Sequence, residues 1–338
     1  MLQRPILRVT KAPLRISFIG GGSDFKTFFE KNEAVGRVLG TAINKFVYVI
    51  SQEFPAFERS SFRFTYRKTE EVSEIKDIEH PVVRSVLSEL DWKQPLNLAT
   101  MASLPGRSGL GSSSSFTVAL LANLNPHFLG TDGDKLQVAL EAINIERDVL
   151  NEPGGIQDQF HASFGGFRLY EFRTNLAVES YPINDYDFHQ IINQHLCLVA
   201  TGEDRSSVTH SGKLQQALNS KRHNDHLLAL SDLALETYNG IQNSQTSAEK
   251  LKILARGTNE AWEIKLDLGL ELTNETQKII DVGASVGSLA RKLCGAGGSG
   301  FVAFLIEDEG FLELKRIFGD DRVFRVETYN SGVSVAEF

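Results

Sequence analysis

The amino-acid sequence predicts an α+β fold with a strand-rich N-terminal half and a helix-rich C-terminal half. Two periodicities support this: alternating apolar stretches in the first half, and apolar residues at a spacing of about 3.6 further on. A chain of 338 residues corresponds to about two domains. The sequence changes from strand-rich to helix-rich near 185–195, and no Gly/Ser linker separates the two halves. We therefore expect the two halves to pack tightly.

In the first half, alternating apolar residues predict strands and helical spacing predicts helices. The predicted strands are 6–18, 38–52, 61–66, 95–104 and 163–172. The predicted helices are 78–90, 112–124 and 134–150. The second half begins with a strand at 195–200, followed by a helix-rich stretch from 211 to about 268. The remaining predictions are a helix near 275–293, a strand at 301–306, a helix at 309–318 and a strand at 323–326.

Composition excludes several classes of protein. The net charge is −8 and no block of Lys or Arg occurs, which disfavours a nucleic-acid or anionic-membrane surface. Two cysteines cannot form a disulfide framework, and their scarcity favours a reducing compartment. No apolar run approaches a membrane span, and the first residues lack a secretory signal. We therefore expect a cytoplasmic protein with neither membrane nor nucleic acid as a partner.

Residues 105–115 (PGRSGLGSSSS) lie between a predicted strand and an apolar helix. Glycines let the backbone turn sharply, so that its N–H groups can point into one concavity. The following helix adds the positive end of its dipole, which suits an anion such as phosphate. The segment lacks the Gly-Lys-Ser/Thr of a Walker A loop. The alternative is a Gly/Ser loop that only caps the helix.

Two further segments place a carboxylate next to glycines. Residues 12–24 (APLRISFIGGGSD) carry Arg15 on a predicted strand that ends in three glycines and Asp24. Residues 153–159 (PGGIQDQ) place Asp158 in a glycine turn. An Asp in such a turn usually caps or forms it. Its chemical use would be to accept a proton from an attacking hydroxyl or to position that hydroxyl.

Other features point less clearly to chemistry. Residues 295–300 (GAGGSG) fit the dinucleotide pattern G-x-G-x-x-G. However, a predicted helix precedes them and a strand follows, which is the reverse of the required order. Close packing beside another loop explains these glycines better. His223 and His226 have no evident further metal ligands, and Cys294 has no evident activating base.

In this order, the motifs resemble those of the GHMP small-molecule kinases, the superfamily of galactokinase, homoserine kinase and mevalonate kinase. Residues 12–24 are similar to the first motif of that family, 105–115 to the second and 294–301 (CGAGGSGF) to the third. The stretch around Asp158 is similar to the catalytic-aspartate segment. The resemblance covers the whole chain. It implies an N-terminal domain (1–190) like ribosomal protein S5 domain 2, a ferredoxin-like C-terminal domain (191–338), and ATP in the cleft between them.

The resemblance also implies roles for individual residues. Asp158 would face the acceptor hydroxyl, as a base or as a positioner, and Arg15 would lie beside it and the γ-phosphate. Ser113 (or Ser112) and Glu146 would hold Mg²⁺. The residues implied in binding ATP are Pro105, Gly106, Arg107, Ser108, Gly109, Leu110, Gly111, Ser112, Ser113 and Ser114. Those implied in binding the acceptor are Gly20, Gly21, Gly22, Ser23, Asp24 and Arg205.

Departures from the family pattern narrow the choice of acceptor molecule. Galactokinases carry Glu-His where this chain has Gly21-Gly22, and mevalonate-type members carry a lysine where it has Arg15. The segments IGGGSDF, VLGTAINKFVYV and TGEDR most resemble the D-glycero-D-manno-heptose 7-phosphate kinases, which phosphorylate the anomeric hydroxyl. In this reading Arg205 would bind the sugar phosphate. The alternatives are a kinase of a neutral sugar such as fucose, or a non-catalytic sugar and ATP sensor. We expect a monomer or a homodimer.

Overall fold

The computed structural model describes residues 7–30, 34–53, 61–106, 108–202, 221–295 and 300–338. Arg107, Arg205 and residues 296–299 of the third glycine-rich motif lie outside the described residues. Within the described ranges, none of the helices combines the length and the apolarity that crossing a bilayer would need.

The first sheet has eight strands and is organised around one long strand, β2 (Gly36–Glu53). β1 (Leu7–Ile19) pairs with it antiparallel along nearly its whole length. On its other edge, β2 pairs with β5 (Leu96–Ala102) towards its end and with β6 (Phe167–Phe172) at its beginning. The remaining strands are β3 (Phe62–Thr65), β4 (Thr69–Val72), β7 (Val178–Pro182) and β12 (Ser334–Glu337). Among the described strands of this sheet, only β3 and β5 pair in parallel.

One helix is buried at the centre of this half. It is α3 (Ser112–Leu124), which contacts β1 and β2 on one side and three further helices of this half on the other. Every residue from Ser114 to Leu124 is buried, which explains why this helix is apolar all round rather than along one stripe. The other helices of this half are α1 (Lys26–Phe29), α2 (Pro81–Glu89), α4 (Asp132–Ile143) and α5 (Gln157–Phe164). A π-helical turn, Asn144–Val149, continues from α4.

The second sheet has four antiparallel strands in the order β11-β8-β10-β9. These strands are β8 (Leu196–Ala200), β9 (Ala290–Leu293), β10 (Phe301–Leu305) and β11 (Val323–Arg325). The helices described in this half are α6 (Tyr186–His195), α7 (Lys221–Asn243), α8 (Ser247–Asp267), α9 (Asn274–Ser285) and α10 (Asp308–Phe318).

The two sheets are held together by helices and by buried polar contacts. α7 lies against β2, and α8 lies against both β1 and β9. Lys292 of β9 donates hydrogen bonds to the carbonyl oxygens of Ser17 and Phe18 at the end of β1. The chain finally returns to the first sheet, where β12 pairs with β1. The boundary at residue 190 remains our proposal for the domains, with β12 as a strand contributed back to the first sheet.

The structure corrects three predictions from the sequence. The helix predicted near 275–293 ends at Ser285, and Ala290–Leu293 form β9 instead. Gly287, at φ +81°, allows the chain to turn there, and the following apolar residues pair with β10. The strand predicted at 163–172 begins only at Phe167, because its first residues end α5. The helix predicted at 134–150 changes to π-helical hydrogen bonding after residue 143.

Asp185 provides a test of the contact between α6 and α8. Its carboxylate accepts a hydrogen bond from the N–H of Phe188, capping α6, and one from the Lys250 ammonium of α8. The Lys250 ammonium and then the Phe188 N–H lower the pKa of Asp185. Its contribution to stability is therefore present above the ordinary carboxylate pKa of about 3.9 and is lost as the pH falls through the lowered value.

We expect Asp185→Ala to reduce the free energy of unfolding by about 1–2 kcal/mol at pH 7, measured by urea unfolding. The difference from the unmodified chain should shrink at pH 3, which lies below the ordinary carboxylate pKa of about 3.9, so that the unfolded chain has taken up the proton. Asp187→Ala, in the same turn but exposed, is the control. A loss of stability that is the same at both pH values would contradict this assignment.

Candidate active site

A cleft of about 280 Å³ lies where the end of β1, the start of α3, the segment before α5 and the end of β9 meet. All the predicted motifs contribute to its lining. Among their residues on its wall are Arg15, Gly21, Gly22, Asp24, Gly109, Gly111, Ser112, Ser113, Ser114, Glu146, Asp158 and Gly295. Pro105, Gly106, Ser108, Leu110, Gly20 and Ser23 do not line it. The backbone therefore brings together segments that are far apart in the sequence.

A bidentate ion pair joins Arg15 and Asp158 within this cleft. Arg15 Nε donates to Asp158 Oδ1 and Nη2 donates to Oδ2, both at 2.7 Å. The third nitrogen, Nη1, donates to the carbonyl oxygen of Gly109 at 2.6 Å. The Arg15 side chain is 9% exposed and that of Asp158 is 21% exposed, so the carboxylate remains the more accessible partner. Asp158 was predicted in a turn, but it lies in the first turn of α5, where the helix dipole favours a carboxylate.

The second motif approaches its neighbours so closely that only glycine fits at two positions. Gly109 has φ +79°, and a Cβ atom there would overlap the carbonyl oxygen of Cys294. Gly111 has φ +78° and precedes α3 without any side-chain cap. The N–H groups of the first turn of α3 are therefore left for a ligand, and Ser112 and Ser113 line the cleft beside them. This is the geometry of an anion site.

The third motif packs against the second, as the sequence suggested. A Cβ atom on Gly300 would lie 2.6 Å from the carbonyl oxygen of Ser108. Strand β9 precedes this motif, whereas the sequence predicted a helix, and β10 follows it. The third motif thus leads into a strand and not into the helix N-terminus that a dinucleotide site requires. Its described residues pack against the second motif.

Glu146 is buried on the π-helical turn, a distortion that is frequent at functional sites. Its Oε2 atom accepts hydrogen bonds from Ser114 Oγ at 2.8 Å and from Gln159 Nε2 at 2.7 Å. Its Oε1 atom is buried and has no hydrogen-bond partner within the described part of the chain. Burial raises the pKa of this carboxyl group, and the charge of Arg147 opposes the rise.

The oxygens around Glu146 fit a Mg²⁺ ion. An unpartnered buried carboxylate oxygen is an available ligand, and the hydroxyl group of Ser113 lines the same cleft. No cluster of three or more His, Cys, Asp or Glu side chains suited to a metal occurs among the residues described. Mg²⁺ typically takes one or two protein carboxylates, with phosphate oxygens and water completing its shell. In the structure, Ser114 rather than Ser113 donates a hydrogen bond to Glu146.

Asp24 connects the first motif with the segment before α5. Its Oδ1 accepts from the N–H of Gly22 at 2.9 Å, and its Oδ2 accepts from the N–H of Gln157 at 3.1 Å. A Cβ atom on Gly155 would overlap this carboxylate, so glycine is required there for the close approach. Burial raises the pKa of Asp24, the hydrogen bond from Gly22 opposes this, and the nearby Asp158 adds to the rise.

Sequence reasoning missed two lysines of the cleft, Lys265 and Lys292. Burial lowers the pKa of Lys265, and the charge of Asp24 opposes the change. Burial also lowers the pKa of Lys292 well below its ordinary value, and neighbouring Lys265 acts in the same direction. Each is a single residue on α8 or β9 without a surrounding motif, so no local pattern in the sequence could have identified it.

Comparison with known proteins agrees with this geometry. Residues 78–166 match the family description "GHMP kinases N terminal domain". The matched segment contains the second motif, Glu146 and Asp158. The D-glycero-alpha-D-manno-heptose 7-phosphate kinase of Campylobacter jejuni is 25% identical over 317 residues, covering 88% of this chain and 89% of that protein. The galactokinase of Thermococcus kodakarensis is 24% identical over 319 residues, with 88% of both proteins covered.

Solved structures show the same fold. A crystal structure of a D-glycero-D-manno-heptose 1-phosphate kinase from Bacteroides thetaiotaomicron aligns with a TM-score of 0.74 at 22% identity. The alignment covers 98% of this chain and 99% of that one. Mevalonate kinase of Methanococcus jannaschii aligns with a TM-score of 0.71 at 17% identity, covering 95% and 98% respectively. The predicted two-domain GHMP kinase fold is confirmed.

These comparisons also confirm the predicted class of enzyme. The relatives are kinases named for sugars, a sugar phosphate or mevalonate, all of which offer an alcohol group as acceptor. A phosphotransferase with an alcohol acceptor was the class predicted from the motifs. The roles of individual site residues remain predictions.

Gly109→Ala tests the phosphate loop. Alanine at φ +79° is strained by about 1–2 kcal/mol, and its Cβ atom would overlap the Cys294 carbonyl, so the loop must shift. We expect the affinity for ATP, measured by calorimetry, to fall at least about tenfold, or ~1.4 kcal/mol.

The matched control is Gly133→Ala on α4, where a Cβ atom meets only Thr131 Oγ1 at an ordinary 3.7 Å. This variant should bind ATP as the unmodified chain does. Equal affinities for all three proteins would contradict the assigned role of the loop.

Proposed function

We propose that this protein transfers the γ-phosphate of ATP to the anomeric hydroxyl of D-glycero-D-manno-heptose 7-phosphate. The product would be the 1,7-bisphosphate, a precursor for a nucleotide-activated heptose. One observation carries the kinase chemistry: the Arg15–Asp158 pair lies beside the uncapped N-terminus of α3 in a single cleft. The choice of acceptor is supported by the similarity to a heptose 7-phosphate kinase along 88% of the chain.

In this proposal the phosphates of ATP lie against the loop that precedes α3. The free N–H groups of that helix would donate to phosphate oxygens, and the helix dipole would favour their charge. Gly109 and Gly111 keep the loop close enough for its backbone to serve as the donor. A protein with net charge −8 can thus hold a polyanion without a large basic surface.

The acceptor hydroxyl would face Asp158. Each carboxylate oxygen already accepts a bond from Arg15, and its remaining lone pairs are open to the cleft. Asp158 would orient the hydroxyl or accept its proton as the bond from oxygen to the γ-phosphorus forms and the bond to the β-phosphate oxygen breaks. Arg15 would lie beside the charge on the transferring group. Positioning and electrostatic stabilisation account for most of the catalysis in this chemistry.

Glu146 and Ser113 would hold Mg²⁺, with Ser114 and Gln159 fixing the carboxylate through hydrogen bonds. When bound, the ion would neutralise charge on the phosphate oxygens. The acceptor side would consist of Gly21, Gly22 and Asp24. Arg205, proposed for the sugar phosphate, lies outside the described residues.

Two other functions would give different results in an activity assay. A neutral-sugar kinase is favoured by the 26% identity to the L-fucokinase/L-fucose-1-P guanylyltransferase of Bacteroides fragilis, over 64% of this chain and 23% of that protein. A non-catalytic sensor is disfavoured, because Arg15, Glu146 and Asp158 are all present in one cleft.

An assay of ADP release with free sugars and sugar phosphates separates the three functions. Turnover should be fastest with heptose 7-phosphate; fucose as the best acceptor, or binding without ADP release, would overturn the proposal.

Asp158→Asn should reduce turnover by about 10²-fold or more, because the amide cannot accept a proton and its NH₂ group faces the Arg15 guanidinium. ATP affinity by calorimetry should remain within about twofold, since Asp158 accepts hydrogen bonds from Arg15 and a carboxylate cannot donate to the phosphates. The control is Asp148→Asn, an exposed carboxylate paired with Lys26. Full activity of Asp158→Asn would remove Asp158 from the mechanism.

Glu146→Gln tests the proposed cation site. It replaces a carboxylate with a neutral amide of the same shape, so the Mg²⁺ concentration for half-maximal ADP release should rise about tenfold or more. Binding of ATP in the absence of metal should be unchanged in a calorimetric titration. If the Mg²⁺ dependence does not change, Glu146 is not a ligand.

A further inference from the structure

Lys265 reaches the acceptor side of the cleft from the second half of the chain. It lies in the last turn of α8, far in sequence from every motif described above. A Cβ atom on Gly21 would lie 3.2 Å from Lys265 Nζ, so the ammonium faces the open side of that glycine. Because Gly21 has no side chain, space remains in front of the ammonium.

The neighbouring charges of the cleft already have partners. Arg15 bonds Asp158, and Lys292 bonds two backbone carbonyl groups of β1. Asp24 accepts from two backbone N–H groups, of Gly22 and Gln157. Within the described ranges, Lys265 Nζ makes no hydrogen bond or ion pair, although the charge of Asp24 acts on it. Lys265 is thus a partly buried cation available to a ligand.

Two polar side chains next to Lys265 also face this space. Ser17 Oγ is buried and has no hydrogen-bond partner in the described structure. Gln157 is only 7% exposed and lines the cleft. Ser17 Oγ and Gln157 Nε2 each lie 3.5 Å from the same point in front of Gly21. An ammonium, a hydroxyl and an amide NH₂ therefore converge on one small space.

We propose that Lys265, Ser17 and Gln157 form a subsite for an anionic group of the acceptor, a phosphate or a carboxylate. All three side chains offer hydrogen-bond donors, and an anionic oxygen is the complementary acceptor. The subsite adjoins Gly21 and Asp24 on the acceptor side, whereas the phosphates of ATP have the N-terminus of α3. This inference rests on the proposed function for the identity of the acceptor, and it adds a residue from the second half of the chain to the recognition of that acceptor.

Lys265→Met and Lys265→Arg in the full chain test the subsite with heptose 7-phosphate and with the same heptose lacking the phosphate. Lys265→Met should raise KM for the phosphorylated acceptor at least about tenfold, with KM for ATP and for the free heptose within about twofold. Lys265→Arg should recover part of the affinity. Lys252→Met, an exposed lysine on the same helix, is the control for folding and charge.

Unchanged KM values for both acceptors would overturn the subsite. An equal loss of kcat with both acceptors, or a rise in KM for ATP, would also overturn it, because the ammonium would then serve the transferring phosphoryl group. Circular dichroism and thermal unfolding establish that each variant is folded.

A binding measurement separates failure of the subsite from failure of the proposed function. Inorganic phosphate is titrated calorimetrically into the unmodified chain and into Lys265→Met. Weaker binding by at least about tenfold in the variant supports the subsite even if no sugar gives ADP. Equal binding, or no binding to the unmodified chain, overturns it even if the enzyme phosphorylates heptose 7-phosphate.

Discussion

The ion pair between Arg15 and Asp158 is the contact on which the arrangement of the cleft depends. Its two parallel hydrogen bonds fix the end of β1 against the first turn of α5, and the third nitrogen of Arg15 holds the Gly109 carbonyl of the phosphate loop. Three segments from distant parts of the sequence are thus positioned by one planar guanidinium group. A lysine could provide the charge but not this geometry, because its ammonium has no fixed fork of donors.

Glycine is required in the cleft for close approach more than for flexibility. At position 109 a side chain would overlap a backbone carbonyl of the third motif, and at position 155 it would overlap the Asp24 carboxylate. Both contacts bring backbone N–H groups or buried carboxylates to where a ligand would lie. The clustering of glycine in the sequence therefore reflects the close packing of these segments against one another around the cleft.

Local patterns predicted the parts of the structure that local interactions determine. The bounds of α3 were predicted correctly, because a mostly apolar run (FTVALLANL) follows the four serines after Gly111. The glycine-rich motifs identified Arg15, Asp24 and Asp158. What failed depends on contacts across the chain. Residues 290–293 have spacing compatible with a helix, and only pairing with β10 makes them a strand. Lys265 has no surrounding pattern in the sequence. The hydrogen bond from Ser114 to Glu146 was also not predicted, because successive helical side chains point about 100° apart and the sequence does not show which serine faces Glu146.

The pairing of β12 with β1 has a consequence for how the protein is made. β1 carries Arg15 and lies in the interior of the first sheet, where Arg8–Lys11 pair on one side with residues 334–337. During synthesis on the ribosome, that part of the edge would stay open until β12 had emerged. Open edges pair readily with other chains. A nascent chain that stalls before residue 334 would therefore be prone to aggregate, which couples correct assembly of the first sheet to the synthesis of β12.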